Sequence, residues 1–222
     1  PASKQEHPIG FSAMYVTQIR QELNRMMGMA KENIATSFQA VLERDVKRVE
    51  SAEATEEYID YLNKEISQYI SNIIVHETNE KDSTAISAYF KITGNIERIG
   101  DQASDIAEIV TCLSGACGHN AHIDQMAQAT IKMVTDSLDA FVRRDLTLAW
   151  SVIEYDDVVD RLFDECKQDL IAEIAQSPAD GERVLDVLMI AKYLERIGDH
   201  ATNIAEWVEF SITGTHKSET HV

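Results

Sequence analysis

One twelve-residue pattern occurs twice in this chain. Glu97-Arg98-Ile99-Gly100-Asp101-Gln102-Ala103-Ser104-Asp105-Ile106-Ala107-Glu108 returns as Glu195-Arg196-Ile197-Gly198-Asp199-His200-Ala201-Thr202-Asn203-Ile204-Ala205-Glu206, 98 positions later (195 − 97). Both copies keep an acidic pair four residues apart, a Gly between them and a second Glu further on. A core requires apolar residues at helical spacing, not the same carboxylates in the same places. The repeat therefore fixes a duplicated architecture and offers one candidate site in two copies.

The duplication reaches beyond the motif. Ser37, Ala40, Arg44 and Asp45 match Ser137, Ala140, Arg144 and Asp145 at an offset of 100, as Asp60 and Leu62 match Asp160 and Leu162. The fall to 98 places a two-residue deletion in the turn between the second and third helix of a unit, where it does least harm. Asp45 and Asp145 are placed to cap the second helix of each unit.

Apolar residues recur at three- and four-residue steps almost throughout, and three Pro and nine Gly are few punctuators for 222 residues. The periodicity predicts six helices, over about 11–44, 46–75, 82–113, 122–144, 146–175 and 178–212. Asp82 or Ser83 can cap the third; Ser177, followed by Pro178 and Asp180, can cap the sixth. Residues 114–120 hold two Gly and no periodicity, so the unit boundary falls there. The expected fold is all-α: two tandem three-helix bundles, 11–114 and 120–212, each up-down-up. Trp150, Trp207, Tyr89 and Phe90 are assigned to packing.

A formal charge of −18 argues against nucleic acid as a partner, because phosphates would be repelled. No apolar run approaches the roughly 18–20 residues of a membrane span, and no secretory signal is visible. Three Cys without framework spacing suit a reducing, cytoplasmic compartment. A chain that starts with Pro rather than Met reads as processed or as part of a longer protein.

At about 100° per residue, and with Glu97 at zero, Asp101 falls near 40°, Asp105 near 80° and Glu108 near 20°. Ile92, Ile99, Ile106 and Val110 cluster near 200°, so the acids form a stripe opposite the core. A solvated amphipathic face explains that arrangement. Against it, like charges four apart repel by a few tenths of a kcal/mol, and a mid-helix Gly100 or Gly198 costs about 1 kcal/mol relative to Ala. Such a Gly leaves room for a ligand or a neighbouring helix.

The second helix of each unit adds acids: Glu56, Glu57 and Asp60, then Asp156, Asp157 and Asp160. Glu57 and Asp157 also lie opposite their apolar stripes. Glu97 and Asp101 with Glu57 or Asp60 form one candidate metal site. Glu195 and Asp199 with Asp157 or Asp160 form the other. Oxygen clusters of this kind suit Mg, Mn, Fe or Ca, with Zn as an adventitious guest. Spacing alone leaves two readings open, a metal site and a charged surface.

Glu-Arg-Ile-Gly-Asp-x-Ala on the third helix of a repeated three-helix unit resembles the PhoU family, whose hallmark is a duplicated acidic E/D-x-x-x-D motif. Glu97/Asp101 and Glu195/Asp199 match it in both copies, and the resemblance covers about residues 11–212. Glu22-Leu23-x-Arg25-Met26-x-x-Met29-Ala30 is further similar to the PhoU-type domain at the cytoplasmic C-terminus of bacterial sodium/phosphate cotransporters. The resemblance implies a non-catalytic regulator of phosphate uptake at the inner face of the cell membrane, binding iron or other metals at the acidic motifs. It implies as partner a membrane phosphate transporter or the chain's own upstream transmembrane domain, with a sensor kinase and a second copy of the chain as further ones. Two departures stand out: Asn203 replaces Asp105, and Glu57 stands where Asp157 stands.

Other chemistries fit less well. Cys112, Cys117, His119 and His122 crowd the inter-unit loop, but the spacing is compressed for a tetrahedral zinc site. Cys166 reads as a small core residue. A ferritin-like di-iron enzyme needs Glu-x-x-His pairs facing the core, and no Glu here has a His three residues later. No nucleophile–base arrangement or phosphate-cradling Gly loop appears. His200 reads as a surface or packing residue. The remaining alternative is a metal-free helical interaction module docking onto a membrane or signalling protein.

Overall fold

The expected periodicity becomes six long helices: α1 (Phe11–Glu43), α2 (Val46–Ile74), α3 (Glu80–Cys112), α4 (Ala121–Arg143), α5 (Leu146–Gln176) and α6 (Gly181–Thr213). The computed structural model of the chain describes residues 11–76, 79–112 and 121–215. No strand occurs among them, and no helix is long and apolar enough to cross a membrane. The expected unit boundary at 114–120 lies outside the described residues.

Each half closes on itself, every helix packing against the other two. The halves then join along α3 against α6, with α1 against α4 as a second seam. Ile92, Ile99 and Ile106 of α3 are buried, as are Ile190, Ile197 and Ile204 of α6. Polar contacts set the direction of the seam. Asn95 meets His200 and Asn203, while Asp105 lies in the field of Arg196 and bears on Tyr193. As residue number rises on α3 it falls on α6, so the two helices run antiparallel. With the 98-residue offset, the 95–203 and 105–193 relations exchange, the signature of a pseudo-two-fold between the halves.

The repeated Arg-Asp pair ends one helix and starts the next. Arg44 and Arg144 both take the left-handed conformation, φ 53°. Asp45 N–H then reaches back to the Ala40 carbonyl at 3.1 Å, and Asp145 N–H to Ala140 at 3.0 Å, the helix-ending six-to-one bond. The two Asp side chains accept from Lys47 N–H and Leu148 N–H as expected of caps.

Two expected starts shift. Asn79, not Asp82 or Ser83, caps α3, accepting from the N–H groups of Lys81 and Asp82. The helix gains a turn, and Glu80 and Asp82 then face its positive end. Ser177 makes no capping bond, and Pro178–Asp180 form a single 3-10 turn before α6. Aromatic packing is also uneven. Tyr89 is buried, but Trp150 and Phe90 are exposed, and Trp150 Nε1–H donates to Glu209 at 2.8 Å.

Candidate metal centre

In the second unit α5 and α6 bring Asp156, Asp160 and Asp199 together, one carboxylate oxygen from each lying within 4.8 Å of the others. Asp156 and Asp160 are one helical turn apart and share a face. Asp156 Oδ1 and the nearby Thr202 hydroxyl oxygen are both buried. Burial, then Asp160 and Asp199, push the Asp156 carboxyl up to about 6, with Thr202 opposing. Burial and neighbouring acids raise Asp160 and Asp199 too. Three converging oxygens form a hard-donor set that fits Mg, Mn, Fe or Ca better than Zn. Glu195 acts on Asp160 and Asp199 but is held in an ion pair by Lys192, beside the triad rather than in it.

In the first unit Glu56, Asp60, Glu97 and Asp101 act on one another, but among the described residues only the second unit brings three carboxylate oxygens within 4.8 Å. Burial, a hydrogen bond to Asp101 and the charges of Asp101, Asp60 and Glu97 lift the Glu56 carboxyl to about 7. Glu97 is raised by burial and by Asp101, with Arg98 opposing at 3.7 Å. Lys64 Nζ donates to Asp60 at 2.6 Å. Both clusters thus lie along the second and third helix of a unit, with Asp156, Glu56, Asp60, Glu97 and Asp101 half-buried and Asp160 and Asp199 exposed.

Glu57 and Asp157 are exposed and stand outside these groupings. The side of a helix opposite the core points to solvent; a neighbouring helix is met on the flank. Glu56 and Asp156, one residue earlier, are rotated about 100° toward α3 and α6. The glycines answer a different question from the one the sequence posed. A Cβ at Gly100 would stand 3.3 Å from Ile59 Cδ1, and one at Gly198 3.5 Å from Val159 and 3.7 Å from Asp156 Oδ1. Gly therefore lets the second helix approach the third, which draws the two rows of acids together.

Asp105 and Asn203, the mismatched pair, lie along the α3–α6 seam. Burial, Glu108 and Asp101 raise Asp105, with Arg196 opposing. Asn203 Nδ2 donates to Asn95 Oδ1 at 3.3 Å, and His200 Nδ1 lies 3.1 Å from the same oxygen. Burial and Arg98 depress the His200 ring, so it packs neutral in the seam. Of the inter-unit Cys/His group, Cys117 and His119 and the Cys112 side chain lie outside the described residues. His122 pairs with Asp169 at 2.9 Å. Cys166 is buried.

The carboxyl shifts predict a pH response of the metal-free protein. Glu56 rises from 4.5 to about 7 and Asp156 from 3.8 to about 6, so the folded chain holds more protons than the unfolded one in those windows. Their contribution to stability is present at low pH and is lost as pH climbs through about 6 to 7. His200 gives the opposite slope below its ordinary 6.5. The quantity to read is therefore wild type minus Asp156→Asn: thermal melts from pH 5 to 8 should show the variant gaining relative stability as pH rises. A difference that stays constant with pH would contradict the shift.

The family model described as PhoU domain matches residues 23–110 and again 123–208. A "Phosphate-specific transport system accessory protein PhoU homolog" of Clostridium acetobutylicum is 32% identical over 201 residues, 89% of this chain and 92% of that protein. One of the same description from Pseudomonas aeruginosa is 31% identical over 204 residues, 89% of this chain and 83% of its own length. The crystal structure of PhoU from Pseudomonas aeruginosa superposes with a TM-score of 0.88 at 29% identity, over 91% of this chain and 99% of that one. The PhoU of Streptococcus pneumoniae superposes at 0.86 with 19% identity, over 92% and 98%, a likeness of fold alone.

Proposed function

The chain belongs to the PhoU family, and from that premise we propose that it regulates inorganic phosphate uptake by acting on a membrane phosphate transporter from the cytoplasmic side, with its two acidic clusters as metal centres. The protein is a regulatory accessory protein, not an enzyme. The transporter is either a separate protein or the chain's own upstream transmembrane part; a sensor kinase and a second copy are further partners of the same reading.

One observation supports the metal most strongly: one carboxylate oxygen from each of Asp156, Asp160 and Asp199 lies within 4.8 Å of the others. Asp156, Asp160 and Asp199 would hold a divalent or trivalent cation in the second unit; Glu56, Asp60, Glu97 and Asp101 would do so in the first. A bound cation would supply charge that cancels the repulsion among these acids and ties the second helix of a unit to the third. Lys64 and Lys192 already soften each cluster, which favours the metal-free interaction module as the second reading.

In cells, Asp101→Asn with Asp199→Asn should alter phosphate uptake or its repression at high phosphate. Normal uptake and normal repression in that variant would leave only the interaction module.

A further inference from the structure

An aromatic groove of about 670 Å³ runs between α1 and α2 of the first unit. Ile19, Leu62 and Ile66 form its floor. Tyr58, Tyr61 and Tyr69 rise from α2 along it, 41%, 54% and 36% exposed, values high for side chains of this size. Tyr58 and Tyr61 stack at 6.2 Å. Tyr69 donates to Gln18 at 3.1 Å, and Arg25 lies over the Tyr58 ring at 5.7 Å. Tyrosine in a preformed groove offers large contact area at low entropic cost.

The tyrosines of this groove are not repeated. At the 100-residue offset the three tyrosines become Val158, Arg161 and Asp169. Asp169 is engaged by His122. Duplication alone would have left two such faces, so this one is a property of the first unit.

We propose that this groove seats a basic amphipathic helix of about three turns, carried on the cytoplasmic face of a membrane protein. The inference rests on the regulatory reading above and gives it a docking surface. The lining length fits: Tyr58 to Tyr69 is about 16 Å of helix, or three turns. The charge fits too. Arg25, the one cation among the described lining residues, is already tied to Glu22 at 3.1 Å and to the Tyr58 hydroxyl. Glu65 lines the same groove, Glu53 and Glu57 are exposed on the same helix, and the chain carries −18. Cytoplasmic segments beside membrane spans carry an excess of Lys and Arg. A helix laid between α1 and α2 completes a four-helix arrangement over their exposed tyrosines.

The test uses the full chain and a labelled Leu/Lys peptide of about 14 residues patterned as an amphipathic helix, roughly three to four turns long. Its composition-matched scramble is the control. The patterned peptide should bind at least tenfold tighter than the scramble. Tyr61→Ala with Tyr69→Ala should abolish that preference while leaving the circular dichroism and the bound manganese unchanged. Equal binding of both peptides, or a preference that survives the tyrosine replacements, would overturn the proposal. A wild-type dimer that the same replacements dissociate would assign the groove to a second copy and would overturn it as well. Manganese content is read separately, so loss of metal binding would count against the regulatory reading and not against the groove.

Discussion

A chain carrying both Asp101→Ala and Asp199→Ala should remain folded and lose most of its bound iron, manganese or magnesium. Asp199 is one of the three converging carboxylates of the second unit, and Asp101 is the hydrogen-bonding centre of the first. Removing one of three oxygen ligands should cost more than the roughly 10–100-fold that loss of an outer-sphere partner costs. Stability should hold or rise in the metal-free protein, because each replacement takes a charge out of a repelling cluster and neither residue is buried. Metal per chain, measured by plasma mass spectrometry after dialysis against a weak chelator, checks this. Unchanged content would remove these acids as ligands. A loss of stability above about 3 kcal/mol would show that they hold the bundle together by themselves.

The second large effect belongs to the packing that brings the clusters together. Ile59 is fully buried on α2 and fills the space against Gly100. Ile59→Ala should cost about 2–5 kcal/mol, from lost transfer energy and the cavity left behind. For a chain of this length that lowers the melting temperature by about 10 °C. Gly100→Ala should partly repair it. In the wild type its methyl would crowd Ile59 Cδ1 at 3.3 Å, whereas in the Ile59→Ala chain it enters vacated space and also gains helix propensity. The double variant should be more stable than the sum of the two singles by about 1 kcal/mol. Simple additivity would mean that Gly100 and Ile59 do not share that space.

Much of this arrangement was legible because the chain repeats itself. Helix number and the paired Asp45 and Asp145 caps follow from periodicity and the 100-residue offset. Glu97, Asp101, Glu195 and Asp199 were visible as a stripe, yet their surroundings were not. A helical projection gives the angle from the core but not the direction of the neighbouring helix. Glu57 and Asp157 therefore stood beside Asp60 and Asp160 as candidates because they lie opposite the core, whereas the flank facing α3 or α6 holds Glu56 and Asp156. The signal was available: Glu56 and Asp160's partner Asp156 stand four residues before Asp60 and Asp160, the same spacing that singled out Glu97 and Asp101. The start of α3 shifted for a local reason, since Asn79 lies about a turn upstream of Asp82 and Ser83, the residues expected to cap it. The tyrosine groove was hidden because attention to what repeats passes over what occurs once.

The central claim, that the two interhelical acid clusters are metal centres, is tested most directly by anomalous diffraction from crystals of the protein purified without added metal, collected on both sides of the iron and manganese edges. The account predicts an element-specific peak among Asp156, Asp160 and Asp199, and a second in the first unit among Glu56, Asp60, Glu97 and Asp101. Clear maps with no peak at either cluster, or with the only peak at the inter-unit Cys/His segment, would contradict it.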